Sequence, residues 1–146
     1  MDLVSLPKID LHRHLEGSIR FGTFLELARE TGLDLPRAEL RRRTSMQGEK
    51  PGFLRFLSKF ELYRGLYPSR GWIERVAFEA AEDAADDGCV IAEFRMAPLL
   101  FEPYGLAGEA AMEAMLAGLA RSPIPCGLIV CGMRTANPIA VGPPSE

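Results

Sequence analysis

Both histidines of this 146-residue chain stand in one His12-Arg13-His14 pair. Residues two apart on a β-strand project to the same face, so two imidazoles at this spacing can meet a single metal ion from one side. An H-x-H pair alone is a weak signal, and two histidines without a metal remain the competing reading. Three neighbours favour chemistry. Gly17 follows at once, Asp10 and Glu16 share the histidine face, and the pair lies near the C-terminal end of the first strand of the sequence. In a parallel barrel those strand ends form the active-site rim. Four ionisable side chains on one face of a short strand are expensive to bury without a purpose.

The elements that position such a pair follow from periodicity. Residues 9–15 alternate Ile9, Leu11, Arg13, Leu15 against Asp10, His12, His14, Glu16, which predicts a strand ending at Gly17. Residues 23–30 place Phe24, Leu27 and Ala28 at helical spacing and stop at Gly32. Residues 34–52 carry Pro36, Gly48, Pro51 and Gly52 around an Arg-rich stretch and read as a connection with about one helical turn. Residues 53–66 predict a helix with the stripe Phe53, Phe56, Leu57, Phe60, and residues 72–87 a second helix burying Ile73, Val76, Ala77, Ala80, Ala81 and Ala84. A strand over 90–97 ends at Pro98, an alanine-rich helix covers 109–120, and 128–133 reads as a strand buried on both faces. Strands separated by helices imply parallel pairing through right-handed crossovers.

Composition narrows the function classes. With 47% apolar and 25% charged residues and a net charge of −3, the chain is an ordinary globular domain or part of one. Its longest uncharged stretch before the tail, residues 122–133, is twelve residues with two prolines, against the ~20 apolar residues of a membrane helix. Asp2 stands where a signal peptide needs basic residues, so a cytoplasmic location is expected. Cys89, Cys126 and Cys131 form no C-x-x-C pair and read as buried reduced thiols. Residues 1–70 carry a net +4 and residues 71–146 a net −7, yet Arg41-Arg42-Arg43 is the only basic cluster and the pI is about 5.5. A nucleic-acid partner is therefore not expected.

The segment Leu6-Pro7-Lys8-Ile9-Asp10-Leu11-His12-Arg13-His14-Leu15-Glu16-Gly17-Ser18 closely resembles the opening strand of the adenosine deaminase family, zinc hydrolases of the amidohydrolase superfamily. Phe56-Leu57-Ser58-Lys59-Phe60, Ala92-Glu93-Phe94-Arg95-Met96-Ala97-Pro98 and Leu128-Ile129-Val130-Cys131-Gly132-Met133-Arg134 agree in order and approximate spacing. The resemblance implies an α/β fold, the N-terminal portion of a (β/α)₈ TIM barrel with one Zn²⁺ at its rim. It also implies hydrolysis of a purine 6-amino group to the 6-oxo product with release of ammonia.

By the same resemblance His12 and His14 match the two first-strand zinc ligands. Glu16 matches an acidic position that contacts the ribose 5′-hydroxyl, here Glu instead of the Asp of the animal enzymes, and Gly17 a glycine whose backbone lies against the purine edge. Phe56, Leu57 and Phe60 match an apolar helix covering the pocket, with plain core packing as the alternative. Glu93, Arg95 and Arg134 read as scaffold charges pairing inside the barrel. The family's third His, its His-Ala-Gly-Glu segment and its later His and Asp residues have no counterpart here, so no catalytic acid or base is identifiable.

A (β/α)₈ barrel takes ~250 residues, so this chain supplies about three of eight strands. Residues 1–134 are expected to form the N-terminal part of the barrel, and residues 135–146 an irregular Pro-rich tail, divergent or frame-shifted. Three readings follow: a zinc-dependent purine nucleoside deaminase whose 146-residue portion is inactive by itself, a deaminase of adenine or another aminated purine derivative, and a non-catalytic interaction module or unstable fragment. Self-association through the exposed edge of a three-stranded sheet is expected.

Overall fold

The computed structural model describes residues 3, 5–66 and 69–133. Three parallel strands, β1 (Lys8–His14), β2 (Cys89–Met96) and β3 (Cys126–Val130), lie side by side in sequence order. Between β1 and β2 come helices α1 (Phe21–Glu30), α2 (Arg37–Thr44), α3 (Phe53–Leu66) and α4 (Arg70–Asp86), while α5 (Gly108–Leu119) connects β2 to β3. Arg134 and the tail over residues 135–146 lie outside the described residues. No helix among the described residues is long and apolar enough to cross a membrane.

The core lies between one face of the sheet and the helix pair α4 and α5. Ile73, Val76, Ala77, Ala80, Ala81 and Ala84 of α4 are fully buried, as their spacing predicts, and meet Ala92, Phe94 and Met96 of β2 and Ala111 and Met115 of α5 in one cluster. Small residues set the helix separation. A Cβ placed on Gly118 would lie 2.2 Å from the Glu74 carbonyl oxygen and 2.8 Å from Ala77 Cβ, so only glycine lets α5 approach α4 this closely.

Helix α1 ends in a Schellman closure: Gly32 takes φ +74°, its N–H donates to the Arg29 carbonyl, and the Leu33 N–H donates to that of Ala28. Phe24, Leu27 and Ala28 are buried as predicted.

Two elements differ from expectation. Residues 37–44 form two full turns of helix where a connection was predicted. Pro36 precedes the first turn, Leu40 is buried, and Glu39 accepts hydrogen bonds from both Arg42 and Arg43 at i+3 and i+4. The Arg cluster is thus partly consumed locally, with Arg41 lying 4.0 Å over the Phe21 ring. The two arginines hold the Glu39 carboxyl down at about 2. A depressed carboxyl supports structure above its unfolded pKa and releases it as pH falls. The protection of the α2 amides, taken as exchange relative to the intrinsic rate at each pH, is therefore expected to hold at pH 5 and to fall between about pH 4 and 2; Glu39→Gln should show the reduced protection already at pH 7.

The third strand is not buried on both faces. Leu128 and Ile129 are half-buried and Val130 is 52% exposed, because β3 is an edge paired only with β2 and covered on one face. The opposite face of the sheet is open as well, leaving Ile9, Leu11 and Ile91 exposed.

Candidate metal and purine site

The site is built where β1 leaves the sheet. Strict alternation predicts Asp10 and Arg13 on opposite faces, yet their side chains form an ion pair at 3.3 Å. The reason is a bulge. Asp10 pairs with Ala92 and Arg13 with Phe94, so three steps of β1 answer two of β2, and His12 takes φ +64° within it. A left-handed non-glycine residue stores ~1–3 kcal/mol of strain and is concentrated at functional sites. The four acidic and imidazole side chains therefore do not share one uninterrupted strand face. Leu15–Gly17 form a 3₁₀ turn, which rotates Leu15 and Glu16 into the interior together.

Within this geometry the His12 and His14 rings come together, their centroids 5.5 Å apart and their planes tilted by 59°. Two imidazoles sharing a tetrahedral zinc at ~2.1 Å have centroids about 5 Å apart, so the pair fits one ion. Burial, and then the positive charge of Arg95, lower the His14 pKa; Glu16 acts in the opposite sense and His12 adds to the lowering. That favours the neutral imidazole which ligation requires. Among the described residues no group of three or more His, Cys, Asp and Glu side chains is gathered for a metal.

Glu16 is buried, and its Oε2 has no hydrogen-bond partner among the described residues. The nearest cationic candidate, Nδ1 of His14, stands at 3.9 Å, too far for a hydrogen bond. A buried carboxylate oxygen without a donor is costly, and Glu16 is among the residues that line a cavity of about 540 Å³. His14, Glu16, Gly17, Phe56, Leu57 and Phe60 all line this cavity, and His12 does not.

Arg13, Ser18, Arg95, Leu100 and Met133 complete the wall. Sequence reasoning placed Arg13 on the apolar face and Arg95 in the scaffold, and assigned nothing to the other three. The bulge is what redirects Arg13. Ser18 was legible only as the residue after the turn, where its hydroxyl now donates to the His14 carbonyl.

Helix α3 leaves most of its predicted stripe exposed. Phe53, Phe56 and Leu57 are 73%, 46% and 39% exposed, whereas Lys59, Tyr63 and Leu66 make the buried side. Lys59 is tolerated there because its ammonium donates to Glu49 at 2.6 Å and to the Arg42 carbonyl at 3.1 Å. Phe56 and Phe60 meet edge to face at 5.0 Å, and Phe60 lies so close over Gly17 that an added Cβ would stand 3.2 Å from its ring. Phe56, Leu57 and Phe60 thus line the cavity, and Phe53 does not.

The adenosine deaminase family model matches residues 7–141. The chain belongs to the adenosine deaminase family. A probable adenosine deaminase of Dictyostelium discoideum is 38% identical over 146 residues, covering 94% of this chain and 19% of that protein. Among solved structures, a zinc-bound amidohydrolase of Burkholderia ambifaria superposes with a TM-score of 0.75 at 30% identity, covering 88% of this chain and 36% of that one. An N6-mAMP deaminase of Arabidopsis gives 0.72 at 30% identity, covering 88% and 41%. This member of the adenosine deaminase family therefore spans between about a fifth and two-fifths of the length of those relatives. Its three parallel strands and their helices are the N-terminal portion of their barrel.

Proposed function

We propose that this chain contributes the first-strand half of a zinc site and one wall of the purine pocket in a hydrolytic purine nucleoside deaminase, turning adenosine into inosine and ammonia. The observation that carries the reading is the meeting of the two imidazoles at a cavity lined by His14 and by Glu16, whose Oε2 is buried and unpartnered. His12 and His14 would hold the zinc ion. When bound, the metal supplies a hydroxide-like nucleophile near neutral pH by lowering the pKa of water toward ~7. His14, kept neutral by burial and Arg95, retains the lone pair that ligation uses. Glu16 accepts a hydrogen bond from a ligand hydroxyl, and that donor removes the penalty of its orphaned oxygen. Gly17 lets Phe60 close down on the turn at the cavity wall, while Phe56, Leu57 and Phe60 exclude water from the purine face. The general acid and the base that orients the attacking water are assigned to no residue of this chain.

A cytoplasmic location belongs to the same reading, supported by three free thiols at Cys89, Cys126 and Cys131. So does self-association of the isolated chain, supported by the open sheet edges and the exposed Ile9, Leu11 and Val130.

The test uses a complete barrel carrying this sequence, assayed with adenosine, AMP and adenine side by side. Adenosine is the expected preferred substrate, and Glu16→Ala should cut its kcat/KM by at least tenfold while leaving adenine turnover nearly unchanged. Preference for AMP or adenine overturns the assignment to a nucleoside. In the same barrel Phe60→Ala is expected to raise KM several-fold with a small loss of Tm. Truncating a Phe that fills a core costs ~3–5 kcal/mol, so a large fall in Tm with unchanged kinetics would return the stripe to a packing role.

A further inference from the structure

We propose that Arg95 is a positioning residue for His14, holding its imidazole from the ring face while itself anchored to Cys131, so that both in-plane nitrogens stay free for a metal ion. The proposal rests on the reading of His12 and His14 as a metal pair, and its test separates the two.

Arg95 stands opposite His14 in the β1–β2 register and opposite Ile129 in the β2–β3 register, so it occupies the middle strand at the level of the site. One guanidinium nitrogen, Nη1, lies 2.9 Å from Nδ1 and 2.9 Å from Nε2 of His14. An in-plane hydrogen bond approaches one ring nitrogen along its lone pair. A point equally close to both nitrogens without colliding with the ring carbon between them must lie over the ring face. The guanidinium N–H therefore meets the ring from its face, a contact that holds the ring and lies off the in-plane lone-pair directions. Arginine suits this because its rigid fork carries several donors, so one nitrogen can meet the ring while another is held elsewhere, which a single ammonium cannot reproduce.

The other end of the same guanidinium is fixed independently. Its Nε donates to Sγ of Cys131 at 3.2 Å, just past the end of β3, where the Cys131 N–H donates to the Met96 carbonyl at 2.8 Å. One half-buried side chain thus ties the ends of all three strands to the orientation of one ring. His14 needs such a tie. Its side chain is 45% exposed, it follows a left-handed residue in a bulge, and its contacts to His12 and Glu16 are 5.5 Å between centroids and 3.9 Å. Groups that orient a metal-ligating histidine typically account for ~10–100-fold in metal affinity.

The experiment uses the full 146-residue chain. Zinc affinity is measured by competition with a chromophoric chelator, and the order of the His14 ring by NMR relaxation of its ring carbons in metal-free protein. Arg95→Lys keeps the charge and loses the second anchor at Cys131; Arg95→Met loses both. Cys131→Ser keeps an acceptor for Nε, and Cys131→Ala removes it. The expected result is a roughly tenfold weaker zinc affinity and a more mobile His14 ring in Arg95→Lys and Arg95→Met alike. Cys131→Ala should show a smaller loss, and Cys131→Ser should behave as the parent. If Arg95 acted only as a repelling charge, Arg95→Met would bind zinc more tightly than the parent, and that result overturns the proposal. So does an unchanged His14 ring order in Arg95→Lys, whatever the metal does. If His14→Ala leaves zinc affinity unaltered, the metal pair itself is refuted, and the ring-order measurement in the metal-free chain alone then decides whether Arg95 positions His14.

Discussion

Supplied with zinc and adenosine, the 146-residue chain by itself is expected to give no enzymatic turnover. A catalytic zinc ordinarily has three protein ligands and one open position, while this chain has two histidines in all and the described residues gather no third ligand beside them. Each missing proton-transfer group removes a further ~10²–10⁴-fold, and neither the acid for the ring nitrogen nor the base for the water is assigned to any residue here. The measurement is the ultraviolet change from adenosine to inosine, with a full-length relative as the control. Activity within tenfold of that control, surviving repurification and abolished by His12→Ala, would show that the first three strands suffice, and the proposed division of labour would be wrong.

Gly118→Val is expected to be the most damaging single substitution in the core. Even the first carbon of the new side chain would stand 2.2 Å from the Glu74 carbonyl oxygen, a backbone atom that cannot rotate away, so α5 must move off α4. Overpacking of this kind costs ~1–3 kcal/mol, and more where the obstacle is backbone; the expected loss is about 3 kcal/mol or greater, a fall in Tm on the order of 10 °C. Gly22→Ala is the matched control. Nothing lies within 4 Å of its new carbon in α1, so the helix should gain about 0.5–1 kcal/mol. Equal and small effects at the two glycines would mean that α4 and α5 do not pack this closely.

What was legible in the sequence follows from which interactions are local. The bounds of α3 and the buried stripe of α4 were readable because helical periodicity is written within one segment and both run for three turns or more. The motif around His12 and Gly17 was readable as a family resemblance, and residues 7–141 do match that family. The bulge at His12 was not readable, since a slip of register is a relation between β1 and β2 and leaves no mark on period-two alternation within β1. Helix α2 was hidden by Pro36 and the glycines after it, although Glu39 with Arg42 and Arg43 was the signal that could have revealed it. The exposure of β3 was misjudged because an apolar run does not say how many neighbours its strand has. Arg95 was taken for scaffold because its partners, His14 and Cys131, are 81 and 36 residues away.

The pairing of β1 with β2 also sets a timetable. Ile9 pairs with Ile91, so a ribosome adding ~5–20 residues per second leaves the first strand without its partner for about 4–16 s after it is made. Over that interval Ile9 and Leu11 are a bare hydrophobic segment with unsatisfied backbone groups. Long-range parallel pairing is also among the slowest steps a small domain can take. The bulge that brings the two imidazoles together is defined only against Ala92 and Phe94, so the nascent chain holds no such pair until the second strand has emerged. If the imidazole pair holds a metal as proposed, loading would wait until the sheet exists, and a chaperone that shields an extended apolar N-terminus for several seconds would act on this protein at its most vulnerable stage.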